Sequence, residues 1–172
     1  PPKSSSSLIT QFREYFQVNP YVNNKSYKTS MPNLDSFTLM FMFRLNSLIK
    51  TNINLLKMTS SVMKDVLTID YNEQNDKFVL SFYQVYQRIN AGPLYSKTGA
   101  ALDWVTFALA YDVLEGKVMV KIMDIDGNVL FKGNSALPAG SVYPAATYIY
   151  NIGYNEVQSG SFEFTALEFF DH

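Results

Sequence analysis

Residues 102–133, LDWVTFALAYDVLEGKVMVKIMDIDGNVLFKG, constrain the fold of this chain more than any other stretch. Apolar and polar residues nearly alternate along it, the period of strands with one buried face. Trp104 to Tyr111 reads as a strand, Asp112 to Gly116 as a turn, and Lys117 to Asp124 as the partner strand. Asp126-Gly127 is a two-residue hairpin signal, and Val129-Leu130-Phe131 closes the unit. Nothing in the chain supports alternating helices and parallel strands.

The same rhythm continues on both sides. Ser36 to Leu45, SFTLMFMFRL, predicts a strong strand with Phe37, Leu39, Phe41 and Phe43 on one face and Thr38, Met40, Met42 and Arg44 on the other. Both faces are largely apolar, which predicts a central strand covered on both sides. Ile53 to Met58 is a further strand, and Asp65 to Tyr71 with Lys77 to Tyr86 form a hairpin across the turn Asn72 to Asp76. Ile89 to Ala101 and Gly133 to Pro144 read as loops. Tyr148 to Tyr154 is a strand, and Ser161 to Phe170 the last one, with Phe162, Phe164, Ala166 and Glu168 on one side. Leu8 to Val18 fits two readings: Leu8, Phe12, Tyr15 and Phe16 have helical spacing, and the same residues suit an opening strand. Asn19-Pro20 ends it either way. Tyr21 to Asp35 is polar and loop-like. Residues 1–7 read as linker, residues 8–172 as one domain, and a start at Pro1-Pro2-Lys3 as a mature product or a domain of a longer protein. Short strands at this spacing mean a β-sandwich or barrel.

The order of these pieces resembles the laminin-G-like, concanavalin A-like lectin-glucanase superfamily. SFTLMFMFRL is similar to the family's early strand, and DVLTIDYNEQNDKFVLSFY to its central hairpin. In DWVTFALAYDVLEGKVMVKIMDIDGNVLFKG a Trp opens a strand, a Tyr-Asp pair ends it, and a Gly turn leads to a strand finishing in Asp-Gly. TYIYNIGYNEVQSGSFEFTALEFFD resembles the closing pair. The match runs from about Phe37 onward, and Asp124-Ile125-Asp126-Gly127 carries one residue more than the family's short Asp-Gly ending. The resemblance implies an all-β, antiparallel two-sheet jelly-roll sandwich, with one short N-terminal helix allowed by Leu8 to Val18. It also implies a binding or adhesion role in an extracellular or cell-surface setting. Two stacked sheets about 10 Å apart need large inward side chains, and the 13 Phe and 12 Tyr supply them.

Composition narrows the function classes. Hydrophobic residues make up 47% of the 172 residues, as in a globular domain with a sizeable core. A net charge of −1, from 14 Lys+Arg and 15 Asp+Glu, lacks the footprint of a nucleic-acid binder, and no Lys/Arg run forms a polybasic membrane patch. No apolar run approaches the roughly 20 residues of a membrane-spanning helix. Without cysteine there are no disulfides and no thiolate metal sites.

Catalytic chemistry finds little support. The only histidine is His172, so a Ser-His-acid triad lacks its base. A glycoside hydrolase needs two carboxylates roughly 5–10 Å apart. Asp124 and Asp126 sit at a hairpin end, and Glu163 and Glu168, five apart, face opposite ways on a regular strand. The expectation is a protein that is not an enzyme. Calcium is the cofactor to consider, because it takes loop oxygens; Asp124 with Asp126, and Asp70 with Asn72, Asn75 and Asp76, are the clusters on offer, though both also suit plain turns. Trp104 opens a strand that continues into Val105, Thr106 and Phe107, and reads as core. Tyrosines suit ligand stacking better: Tyr83, Tyr86, Tyr95 and Tyr143 are the candidate ligand-binding residues, with Tyr148 and Tyr150 placed in or near loops. Asn24-Lys25-Ser26 is a glycosylation sequon. The expected function is a non-catalytic module for a glycan or protein ligand. A structural or assembly domain is the alternative, self-associating or meeting neighbouring domains through a strand edge or an uncovered apolar face.

Overall fold

The structure, a computed structural model, describes residues 7–12, 16–18, 25–31, 36–45, 52–62, 66–72, 77–82, 85–90, 103–112, 114–136, 146–152 and 162–171. They form thirteen strands: β1 (Ser7–Phe12), β2 (Phe16–Val18), β3 (Lys25–Met31), β4 (Ser36–Leu45), β5 (Asn52–Ser60), β6 (Leu67–Asn72), β7 (Lys77–Phe82), β8 (Val85–Asn90), β9 (Val105–Asp112), β10 (Lys117–Asp124), β11 (Val129–Ala136), β12 (Ala146–Ile152) and β13 (Phe162–Asp171). Sheet I runs β1-β13-β4-β9-β10-β11, with β2 also paired to β13, and sheet II runs β3-β12-β5-β6-β7-β8. Every pairing is antiparallel. The two-sheet jelly-roll sandwich expected from the sequence is the fold found.

Alternation builds the core. Phe37, Leu39, Phe41 and Phe43 of β4 and Val105, Phe107, Leu109 and Tyr111 of β9 all turn inward and are buried. Phe41 stacks between Phe107 and Phe164 at ring-centroid distances of 5.1 and 4.8 Å, and Phe37 between Tyr111 and Phe169 at 4.9 and 4.7 Å. Sheet II meets these ladders through Phe78, which lies 6.0 Å from Phe43 and 5.3 Å from Phe107, and through Tyr150, 6.3 Å from Phe169. Such ring pairs add about 0.5–1.5 kcal/mol each beyond their buried area. Tyr148 and Tyr150, expected in or near loops, belong to this core, because β12 alternates Tyr148, Tyr150 and Ile152 inward.

Elsewhere the sequence reading is corrected. Leu8 to Val18 holds strands β1 and β2 and, among the described residues, no helix. β1 pairs with the second half of β13 and β2 with its first half; the hydrogen bonds at this sheet edge outweigh the helical spacing. Polar Tyr21 to Asp35 contains β3, an edge strand whose partner β12 supplies the order that its own composition does not. Lys77 to Tyr86 is not one strand: β7 ends at Phe82, which faces Val85 of β8. β11 continues to Ala136, through residues expected to be loop. The β10–β11 connection is Ile125 to Asn128 rather than the two residues Asp126-Gly127.

The correction with most consequence lies in β13. Its register on β4 shifts between Thr165 and Glu168, and Ala166 adopts φ 56°, in the left-handed region. This bulge resets the alternation. Phe162 and Phe164 face the core before it, and Leu167 and Phe169 after it, whereas Ala166 and Glu168 do not.

Candidate functional site

The outer face of sheet II is polar. Its register aligns Ser26, Asn151, Lys57, Thr68, Ser81 and Tyr86 across the strands. A neighbouring row aligns Asn54, Asp70, Val79 and Arg88. Asn54 anchors that second row, just before the irregularity in β5 between Asn54 and Leu56. Its Nδ2 donates to Asp70 Oδ1 at 2.7 Å. Asn54 is only 6% exposed, and its Oδ1 is buried without a hydrogen-bond partner. Burial pushes the Asp70 carboxyl upward, opposed by the Asn54 hydrogen bond and by the charge of Lys57. The Asp70 carboxylate, held by Asn54 Nδ2, is the acceptor this row offers to a donor-rich ligand.

On the outer face of sheet I, Glu163 is 7% exposed and receives the Arg44 guanidinium through Nε and Nη2. The same guanidinium lies over the Trp104 ring, 5.1 Å from its centroid. Trp104 is therefore half-buried on the outer face rather than in the core. The alternation that turns Val105, Phe107, Leu109 and Tyr111 inward already puts residue 104 outward, a signal the sequence reading passed over. The β13 bulge also brings Glu163 and Glu168 to one face, correcting their expected opposition. Their β4 partners are Arg44 and Met40, so the carboxylates sit about 13 Å apart along the sheet. That exceeds the separation a glycoside hydrolase uses.

Of the residues singled out for calcium, Asp70 is in the site just described. Asp124 caps the β10–β11 turn: its Oδ1 accepts from the backbone N–H groups of Asp126 at 2.9 Å and Asn128 at 2.8 Å, and its Oδ2 from Asn128 Nδ2 at 2.9 Å. The Asn128 side chain, first among these contacts, holds the Asp124 carboxyl below its ordinary value. Three of about four lone-pair positions on that carboxylate are occupied. Asp126 is exposed on the same turn, and Gly127 has φ 85°, which favours glycine. The fold keeps this turn and Asp70 on different sheets. Among the described residues no three His, Cys, Asp or Glu side chains form a metal-binding group, and no helix is long and apolar enough to cross a membrane. Tyr86 takes the register position opposite Ser81. Tyr83, Tyr95, Tyr143, Asp76, Asn75, His172 and the sequon Asn24 lie outside the described residues.

Asn54 and Arg44 escaped the sequence reading. Asn54 carries no local signal, because its partner is sixteen residues away. Arg44 sits in an otherwise apolar strand, and its position there was the available hint.

No family model and no curated protein matches the sequence. Solved structures do. The CBM2 module of the evolved Dit of Lactobacillus casei BL23 phage J-1 superposes with a TM-score of 0.61 at 10% identity, covering 96% of this chain and 95% of that one. The Lotus tetragonolobus seed lectin gives 0.61 at 9% identity, covering 98% and 94%. The heptameric SAP-like pentraxin of Limulus polyphemus gives 0.59 at 13% identity, covering 92% and 74%. At such identities the likeness is one of fold.

Proposed function

From a concanavalin A-like jelly roll with a polar outer face on sheet II, we propose a non-catalytic module that binds a hydroxyl-rich ligand, a glycan, on that face. The observation that carries this reading is the Asn54–Asp70 pair, in which Asn54 Nδ2 holds a half-buried carboxylate on that face. Sugar hydroxyls donate hydrogen bonds, and Asp70 accepts them; the row Asn151, Lys57 and Thr68 beside it offers further donors and acceptors. Tyr86, one of the tyrosines expected to meet a ligand, takes the register position at the end of that row. Asp70 is also the carboxylate proposed for calcium, ahead of Asp124 and Asp126, whose turn already engages the Asp124 carboxylate. Solved structures named as lectins and as a CBM module share the fold, which supports a binding role in an extracellular or cell-surface setting.

A glycan-array screen of the protein, with calcium and with chelator, tests this reading, run beside Asp70→Ala. Binding that Asp70→Ala abolishes supports the sheet II site, and its loss on chelation adds calcium to it. No glycan bound, or binding indifferent to Asp70→Ala, overturns the reading and turns attention to a protein ligand.

A further inference from the structure

The outer face of sheet I differs from that of sheet II. Its rows, read β13-β4-β9-β10, are Thr165, Met42, Thr106, Met123; then Glu168, Met40, Ala108, Lys121; then Phe170, Thr38, Ala110, Met119. Among the described residues no strand lies over them. Apolar side chains fill the middle, acid lies on the β13 side, and Lys121 and Lys132 stand directly opposite each other on the β10 and β11 side. Opposed like charges on neighbouring strands repel.

We propose that this face is a two-fold interface with a second copy of the chain. A two-fold axis running along the strands between β4 and β9 brings β4 over the second copy's β9, and β13 over its β10. Each row keeps its level. Met40 then meets Ala108 of the second copy, Met42 meets Thr106, and Thr38 meets Ala110, so the larger residue of each pair faces the smaller. Phe170 meets Met119, a favourable sulfur–aromatic contact. Glu168 meets Lys121 and lies beside Lys132, relieving the repulsion between the lysines. Because a two-fold interface is isologous, every one of these contacts occurs twice.

Four strands at about 4.8 Å and three outward rows at about 6.8 Å give a patch of roughly 400 Å² per copy, the size of a weak, concentration-dependent contact. Face-to-face packing of aligned sheets is a standard geometry. This interface is independent of the sheet II site.

Sedimentation velocity from low to high micromolar protein tests it with a charge swap. Wild type is expected to form dimers. Glu168→Lys and Lys121→Glu each set like charges together across the interface and should each raise the dimer dissociation constant about tenfold or more. The double variant Glu168→Lys with Lys121→Glu restores opposite charges and should recover dimerisation, which a merely misfolded variant does not. A wild type that stays monomeric, single variants that dimerise normally, or a double variant as weak as the singles overturns the proposal.

Discussion

On sheet II the outward row Asn151–Lys57–Thr68 has a hydrogen-bonding side chain at every position, whereas on sheet I the row Thr165–Met42–Thr106–Met123 is half thioether. Both sheets obey the same alternation and send the same kinds of residue inward, Phe, Tyr, Leu and Ile. Folding is driven from the inner faces, so the outer faces are free to differ, and their chemistry reports what each meets. The polar face suits a hydroxyl-rich ligand and the apolar face a second copy.

The largest effect that separates the faces comes from placing the same charge on each. Ala108→Arg, in the middle of sheet I, should raise the dimer dissociation constant at least about tenfold, while Thr59→Arg on the outer face of sheet II leaves it unchanged; sedimentation of both variants decides this. If Thr59→Arg disrupts association instead, the roles of the two faces are exchanged.

Next comes the charged end of sheet I. Arg44→Ala leaves Glu163, 7% exposed, without its guanidinium and removes the cation over Trp104. Because Arg44 itself is partly solvated, the expected loss is about 2–3 kcal/mol, at and below the low end for breaking a fully buried pair. Urea unfolding measures it. A loss under about 0.5 kcal/mol would show the pair to behave as a surface ion pair.

A smaller effect probes the bulge that sorts β13 between core and surface. Ala166 is held at φ 56°, where a β-branched residue is a severe misfit. Ala166→Val should destabilise by about 1–2 kcal/mol, while Ala166→Gly is neutral or mildly stabilising, because glycine enters this region freely. Equal unfolding midpoints for the two variants would mean that the bulge is not held in the left-handed region.

The smallest effect is electrostatic and belongs to sheet II. Burial raises the Asp70 carboxyl above its ordinary value of 3.8. The folded state therefore binds this proton more tightly than the unfolded chain does, and Asp70 lowers stability as pH rises from 3.8 through the raised folded value. Asp70→Asn removes that contribution. Its Tm relative to wild type should climb across this window and level off above it, and a difference that falls with rising pH would show that the carboxylate is held by stabilising partners instead.

Much of the sandwich is legible in the chain. β4, Ser36–Leu45, and β10, Lys117–Asp124, match the expected bounds, because their alternation is strong and their ends are marked by turn residues. β3 was not legible, since KSYKTSM has no apolar rhythm and pairs only at an edge. The bulge in β13 did leave a trace, an apolar step of three between Phe164 and Leu167, but a strict period of two reads through it. Of the candidate site, Asp70 could be named as an acidic residue near a turn. Its partner Asn54 could not, because that contact depends on the register of β5 against β6.

Side-chain period and turn chemistry are local properties of a chain, and they set the all-β class, the inward aromatic faces and the antiparallel hairpin order before any long-range contact forms. Long-range pairing chose the neighbours across strands, namely the Asn54–Asp70 hydrogen bond and the Arg44 guanidinium between Glu163 and Trp104, and the β13 bulge put Glu163 and Glu168 on one face. These depend on register and on one bulge, and a shift of a single residue in either reverses the face on which every later side chain stands.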